Sequence, residues 1–367
     1  MERDSGANQP QRLGLTRRRF MRLAAGMAAT VFLPACHRSA APFPPLPPAD
    51  AQMDTTLYAK APPWRLGRSG RGEVNAWMVM FSAHIEYGVR DRFQPYFGDF
   101  LCRSANWDPN KQIEDIRILL ARGIDLLLID PIDASVVLGG VEEAMRSGVP
   151  VIVAPTRVQS DQFVTWVSNN EESRGEQCAE WISRIVPSGA VLVLQSVPAA
   201  DDSAAWLSGV RRRLDRRPEL DVSVLRCSWQ AAEARRLLAA RLDRRDAVDG
   251  VIVSNGLLGQ GVVQAFVERG NRIPPISGGD DSNGWLRTAK EHSVRFLGTG
   301  GGASMGLHCV ELATRILSGQ PVQRHVAFPY QAFEADAVDR YYRAHLSDHY
   351  WAFHELPEDW IDRMFRL

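Results

Sequence analysis

Asn106-Trp107-Asp108-Pro109-Asn110-Lys111-Gln112, with the run behind it to Pro131, spells a helix-to-strand unit with both ends punctuated. Asp108 is a good N-cap, because a carboxylate there accepts from the first free helix amides. Pro109 suits the first helical position, where its missing N–H would have had no partner. Ile113, Ile116 and Leu120 recur at helical spacing, and Gly123 can take the positive φ with which many helices end. Leu126-Leu127-Leu128-Ile129 is then continuously apolar, as a parallel strand covered on both faces must be. Asp130-Pro131 closes it. Asp133 is placed to cap a second helix, Gly148 to end it, and 149–154 reads as the next buried strand. Two αβ units in succession predict a doubly wound sheet.

The same alternation extends in both directions. Upstream, 64–69 is a short basic strand, Ser69-Gly70-Arg71-Gly72-Glu73 a loop, 74–89 a helix with Trp77, Phe81 and Ile85 on its sheet face, and 100–104 a strand. Downstream come a strand at 163–167 and a helix at 171–185. From Gly189 the pattern restarts, with strands at 190–194, 222–225, 251–253 and around Ile276, and helices at 203–214, 230–242 and 262–268. A strand at 294–297, a helix at 304–317 and one strand over 326–333 complete it. The fold class expected is α/β, in two doubly wound, Rossmann-like lobes joined by a hinge. Residues 337–367, rich in Tyr, Trp and His, fit neither lobe.

A chain of 367 residues accommodates two domains, and 43 Lys plus Arg against 43 Asp plus Glu leaves no basic excess for nucleic acid. Thr16-Arg17-Arg18-Arg19-Phe20-Met21-Arg22 resembles a twin-arginine export signal, and the apolar run at 23–33 is shorter than the roughly 20 residues a membrane-spanning helix needs. Leu33-Pro34-Ala35-Cys36 resembles a lipobox, which makes Cys36 the candidate lipidation site and the new N-terminus, with a cleaved, unlipidated signal or a short uncleaved anchor as the alternatives. The proline-rich stretch behind it, within 36–62, reads as a stiff tether. Cys102, Cys178, Cys227 and Cys309 have no metal-ligand spacing, and disulfides and buried thiols both remain open.

Ala105 to Gln112, Gly123-Ile124-Asp125, Ile129-Asp130-Pro131, Val149-Pro150-Val151-Ile152, Ser254-Asn255-Gly256 and Gly278-Gly279-Asp280-Asp281 stand in one register. Together they resemble the type I periplasmic sugar-binding proteins of ABC importers, the ribose-binding group in particular. The resemblance implies a first lobe of 63–170 plus 299–323, a second of 171–298 plus 324–340, and a tail at 341–367. It further implies a sugar-like small-molecule ligand between the lobes, an ABC transporter permease as partner and a periplasmic location; the lipobox-like Leu33 to Cys36 adds a membrane tie through N-terminal lipid only. No cofactor or metal is expected.

The candidate ligand-binding residues are Asn75, Trp77, Arg157, Trp206, Asn255 and Asp280. Asn and Asp can bind hydroxyls, Arg offers a fixed fork, and Trp can stack on a sugar's apolar face. Each also has a plain structural reading. Asn255-Gly256 can be a turn, Asp280 a helix cap, Trp77 core and Arg157 a loop residue. Three departures from the ribose-binding pattern stand out: Thr156-Arg157 in place of Asp-Arg, Trp206 in place of a second Arg, and Gly300-Gly301-Gly302 where a Gln is expected. They point to a ligand other than ribose.

Other classes fit less well. Gly302-Ala303-Ser304-Met305-Gly306 matches a nucleophile elbow, with His308, His325 and Asp336 downstream, but too little α/β chain follows to deliver a serine hydrolase's acid and base. His345 and His349 are one helical turn apart, beside Asp348 and His354, without a clear third metal ligand. A sensor that presents its closed form to a membrane receptor would have the same sequence features as an importer's binding protein. A repressor built on such lobes would carry a helix-turn-helix where this chain has an export signal.

Overall fold

The computed structural model describes Pro48 and residues 51–196 and 201–367; the twin arginines, the apolar run and Cys36 lie outside them. The chain begins with β1 (Gln52–Met53), β2 (Trp64–Gly70), α1 (Ala76–Tyr87), β3 (Phe97–Ser104), α2 (Pro109–Ala121), β4 (Leu126–Ile129), α3 (Leu138–Arg146), β5 (Val151–Val153) and β6 (Thr165–Asn169). It continues through α4 (Glu171–Ile185), β7 (Gly189–Ser196), α5 (Asp201–Leu214), β8 (Leu220–Cys227), α6 (Ala231–Asp243), β9 (Gly250–Val253), α7 (Gly256–Glu268), β10 (Ile276–Gly279), α8 (Asn283–Glu291) and β11 (Phe296–Gly300). Last come α9 (Met305–Leu317), β12 (Val322–Gln323), β13 (His325–Phe328), β14 (Gln331–Glu334), α10 (Val338–Tyr341) and α11 (Glu358–Phe365).

The strands form two six-stranded sheets, ordered β13-β6-β5-β4-β2-β3 and β14-β11-β10-β9-β7-β8, and a small β1-β12 ribbon. All pairs in the large sheets are parallel except β11 with β14. Each sheet is the centre of one lobe. In the first, Leu126 and Leu128 of β4 face the core under α1 and α9, and Leu127 and Ile129 face the core under α2 and α3. In the second, α4 and α5 cover one face, and α6, α7 and α8 the other. This is the two-lobed α/β fold expected.

The opening stretch folds for the reasons its residues suggest. Asp108 accepts from the amides of Asn110 at 2.9 Å and Lys111 at 3.2 Å, Pro109 is the first helical residue, and Gly123 has φ of 69°. Asp133 differs. It accepts from Ser135 and Val136 in a turn, and α3 starts only at Leu138. The helix read at 262–268 starts earlier, at Gly256, since its first turns are glycine-rich and carry no apolar period. The single strand read over 326–333 is two strands in different sheets. Pro329 separates them, and β13 extends the first sheet although 324–340 was assigned to the second lobe.

Candidate ligand-binding cleft

The chain passes between lobes at the carboxyl ends of β6, β11 and β13. The loops beyond those strand ends therefore gather at the hinge. Ligands of open α/β sheets sit at such ends.

On the first lobe, Arg71 follows β2. Its Nε donates to Asp130 Oδ1 at 2.6 Å and its Nη2 to Thr156 Oγ1 at 2.7 Å, so residues after β2, β4 and β5 form one network. The guanidinium lies 5.6 Å from the ring centre of Trp107, which is 42% exposed. Arg157, next in sequence to Thr156, lies 5.5 Å over Trp166, and that ring stacks on His325 at 4.3 Å. Burial and then the Arg157 charge hold His325 below its ordinary pKa. Asn75 caps α1, accepting from Met78 N at 2.9 Å, and Trp77 stacks on Phe81 at 5.3 Å.

On the second lobe, Asn255 Oδ1 caps α7 by accepting from Leu258 N at 3.0 Å. Asp280 Oδ2 accepts from Gly256 N at 2.7 Å, and its Oδ1 accepts from Ser282 N at 3.1 Å and Ser282 Oγ at 2.5 Å. The two residues thus meet at the start of α7. Asp280 ties that helix to the loop leading into α8.

Trp206 requires a correction. Expected to stack on ligand, it is 0% exposed and packs inside the second lobe with Cys178, Ile182 and Val210. The cause is the tight crossing of α4 and α5: a Cβ on Gly175 would lie 2.1 Å from Trp206 O, and one on Gly209 2.0 Å from Glu172 O. With the helices this close, the indole fills the seam.

Sequence reading missed a polar cluster beside that seam. Arg174 donates to Glu171 Oε2 at 2.8 Å and to Ser254 O at 2.9 Å, and Tyr330, between β13 and β14, donates to Glu171 Oε1 at 2.6 Å. Burial and the Glu171 charge raise the Tyr330 phenol well above its ordinary pKa. The available signal was Glu171 and Arg174 at i, i+3 directly behind a strand. Arg71, Asp130 and Thr156 were likewise legible only as strand-end residues.

Ser304 is a helix-start residue. Its Oγ donates to Gly301 O at 2.7 Å, while His308 Nδ1 faces Glu311 at 3.4 Å and His325 Nε2 meets Ser168 Oγ at 2.8 Å. No described histidine is shown bonded to this hydroxyl. In the C-terminal segment, Asp348 pairs with Arg287 at 2.6 Å and His354 with Tyr350 Oη at 3.2 Å.

A family model for the periplasmic binding protein domain matches residues 78–321. The chain belongs to this family. The ribose import binding protein of Bacillus subtilis is 26% identical over 226 residues, 61% of this chain and 73% of that protein. The xylitol-binding protein of Mycolicibacterium smegmatis is 24% identical over 250 residues, 66% of this chain and 70% of that protein. In fold, the chain resembles an ABC transporter solute-binding protein of Bacillus halodurans with bound myo-inositol, with a TM-score of 0.66 at 18% identity over 77% of this chain and 98% of that one. These relatives are solute-binding proteins, not enzymes.

Proposed function

We propose that this chain is an exported solute-binding protein that captures a small polar ligand, a sugar or polyol, between its lobes and delivers it to an ABC importer's permease. The observation that carries this reading is the gathering of strand-end polar groups of both sheets at the hinge. The ligands named for its sequence relatives, ribose and xylitol, and the myo-inositol bound to its fold neighbour support the ligand class. Arg157, Asn75 and Trp77 from the first lobe and Asn255 and Asp280 from the second are the proposed contacts; Arg71 and Thr156 join them.

The test is thermal shift of the full chain against ribose, xylose, xylitol, myo-inositol, hexoses and nucleosides. A ligand at about 100 times its Kd adds about 2.7 kcal/mol, so at least one sugar or polyol should raise Tm and Arg157→Ala should abolish most of the rise. No response to any sugar or polyol would overturn the ligand class.

We further propose a periplasmic location with lipid on Cys36, supported by the twin arginines and the lipobox-like Leu33 to Cys36. Among the described residues no helix is long and apolar enough to cross a membrane. Cys36→Ser should move the protein from the membrane to the soluble periplasmic fraction. A wild type already soluble would refute the anchor.

A further inference from the structure

Residues 342–367 lie beyond the stretch matched by the family model, which ends at 321, and they touch both lobes. The segment folds back on itself: Ser347 N donates to Phe365 O at 2.8 Å and Leu367 N to His345 O at 3.2 Å. It is therefore a closed unit rather than a trailing end.

Its anchor on the second lobe is polar. Asn283, 0% exposed at the start of α8, donates through Nδ2 to the carbonyls of Arg343 at 2.9 Å, Leu346 at 2.9 Å and Ser347 at 3.2 Å, and accepts from Arg343 N at 3.0 Å. Main-chain bonds run from Asn283 N to Tyr350 O at 2.7 Å and from Ala352 N to Asp281 O at 3.0 Å, and Asp281 Oδ2 accepts from Phe353 N at 2.7 Å.

Its anchor on the first lobe is apolar. Leu346, Tyr350, Leu356, Ile361, Met364 and Phe365 share one buried cluster with Val79, Met80 and Ala83 of α1. Trp360 meets Tyr87 edge-on at 5.8 Å, and Glu355 N donates to His84 Nε2 at 3.2 Å. A lobe rotation that carries α1 away from α8 must separate one anchor. The chain enters the segment from β14 and α10, which belong to the second lobe, so the contact that parts is the apolar one on α1.

We propose that residues 342–367 are an interlobe strap, carried by the second lobe and clasped to α1 of the first, which holds the unliganded protein closed and makes lobe opening wait on its release. Ligand exchange would then be gated by the strap, whatever the ligand is.

The experiment needs no ligand, so its failure is distinct from failure of the sugar-binding reading. Full-length protein and the double variant Ile361→Ala/Phe365→Ala are compared by small-angle scattering and by hydrogen exchange resolved to α1 and α8. Expected are a larger radius of gyration for the variant and α1 amides exchanging at least about ten-fold faster, with α8 protection unchanged. Should the double variant lose its folded circular dichroism, Trp360→Ala, which removes a half-buried ring and leaves the buried cluster, must show the same changes more weakly. Equal scattering and equal α1 exchange in wild type and the folded variant would overturn the strap, as would a wild type that is already open.

Discussion

Asp280 accepts three hydrogen bonds from its own lobe, so replacing it tests more than ligand binding. Asp280→Ala leaves the Gly256 and Ser282 amides without their acceptor, at about 1–3 kcal/mol. The ligand-free variant should therefore melt earlier than wild type, in addition to any loss of ligand response. An unchanged ligand-free Tm would refute the bracing role. Its neighbour Asp281 carries a pH signature. Burial, reinforced by the Asp280 charge, pushes its carboxyl from 3.8 up to about 7. Between those values the folded form keeps a proton that the unfolded chain has lost, so this contribution is complete below 3.8 and is lost as pH rises through about 7, at up to about 1.4 kcal/mol per unit. Asp281→Asn removes the titration, so the Tm of wild type minus that of the variant should fall between about pH 4 and 7 and level off above; a flat difference across that range would contradict it. His84 works in the opposite sense. Burial lowers it from 6.5 to about 4, so its contribution is present above 6.5 and lost as pH falls through about 4. With Nδ1 facing Met80 O at 2.8 Å, its Nε2 is left to accept from Glu355 N.

At the scale of elements, the α4–α5 crossing decides what Trp206 can do. Because both glycines meet opposing backbone, Gly175→Ala or Gly209→Ala must push the helices apart, at about 1–3 kcal/mol by the cost of overpacking. Trp206→Ala would instead open a cavity and cost about 3–5 kcal/mol. Denaturant unfolding of the ligand-free chain measures both. If Trp206→Ala keeps full stability and loses only ligand affinity, the core assignment is wrong and the stacking role returns.

Across the whole molecule, chain crossings after β6, β11 and β13 and the buried clusters of residues 342–367 leave neither lobe complete without the other's segments. Unfolding should accordingly be one cooperative transition, with backbone circular dichroism and tryptophan fluorescence giving coincident curves. Two separated transitions would show lobes that fold independently. The Glu171–Tyr330 bond joins α4 to the last crossover, so Tyr330→Phe, which strips a buried carboxylate of one donor, should lower that transition by about 1–3 kcal/mol.

The sequence alone determined the alternating elements, because each was written in local chemistry: Asp108 and Pro109 at a helix start, the positive φ of Gly123, and the unbroken apolar run of β4 between two covered faces. Family register likewise placed Asn255 and Asp280 beyond strand ends, where they are found. Tertiary structure decided which of these groups are already engaged. Asp280 spends its oxygens on amides brought near by folding, Trp206 fills a seam that exists only once two glycine-bearing helices cross, and the stretch at 326–333 divides between sheets because its two halves find different neighbours. The tail had no legible role for the same reason: the groups it engages, the apolar face of α1 and the Asn283 side chain of α8, come within its reach only in the folded molecule.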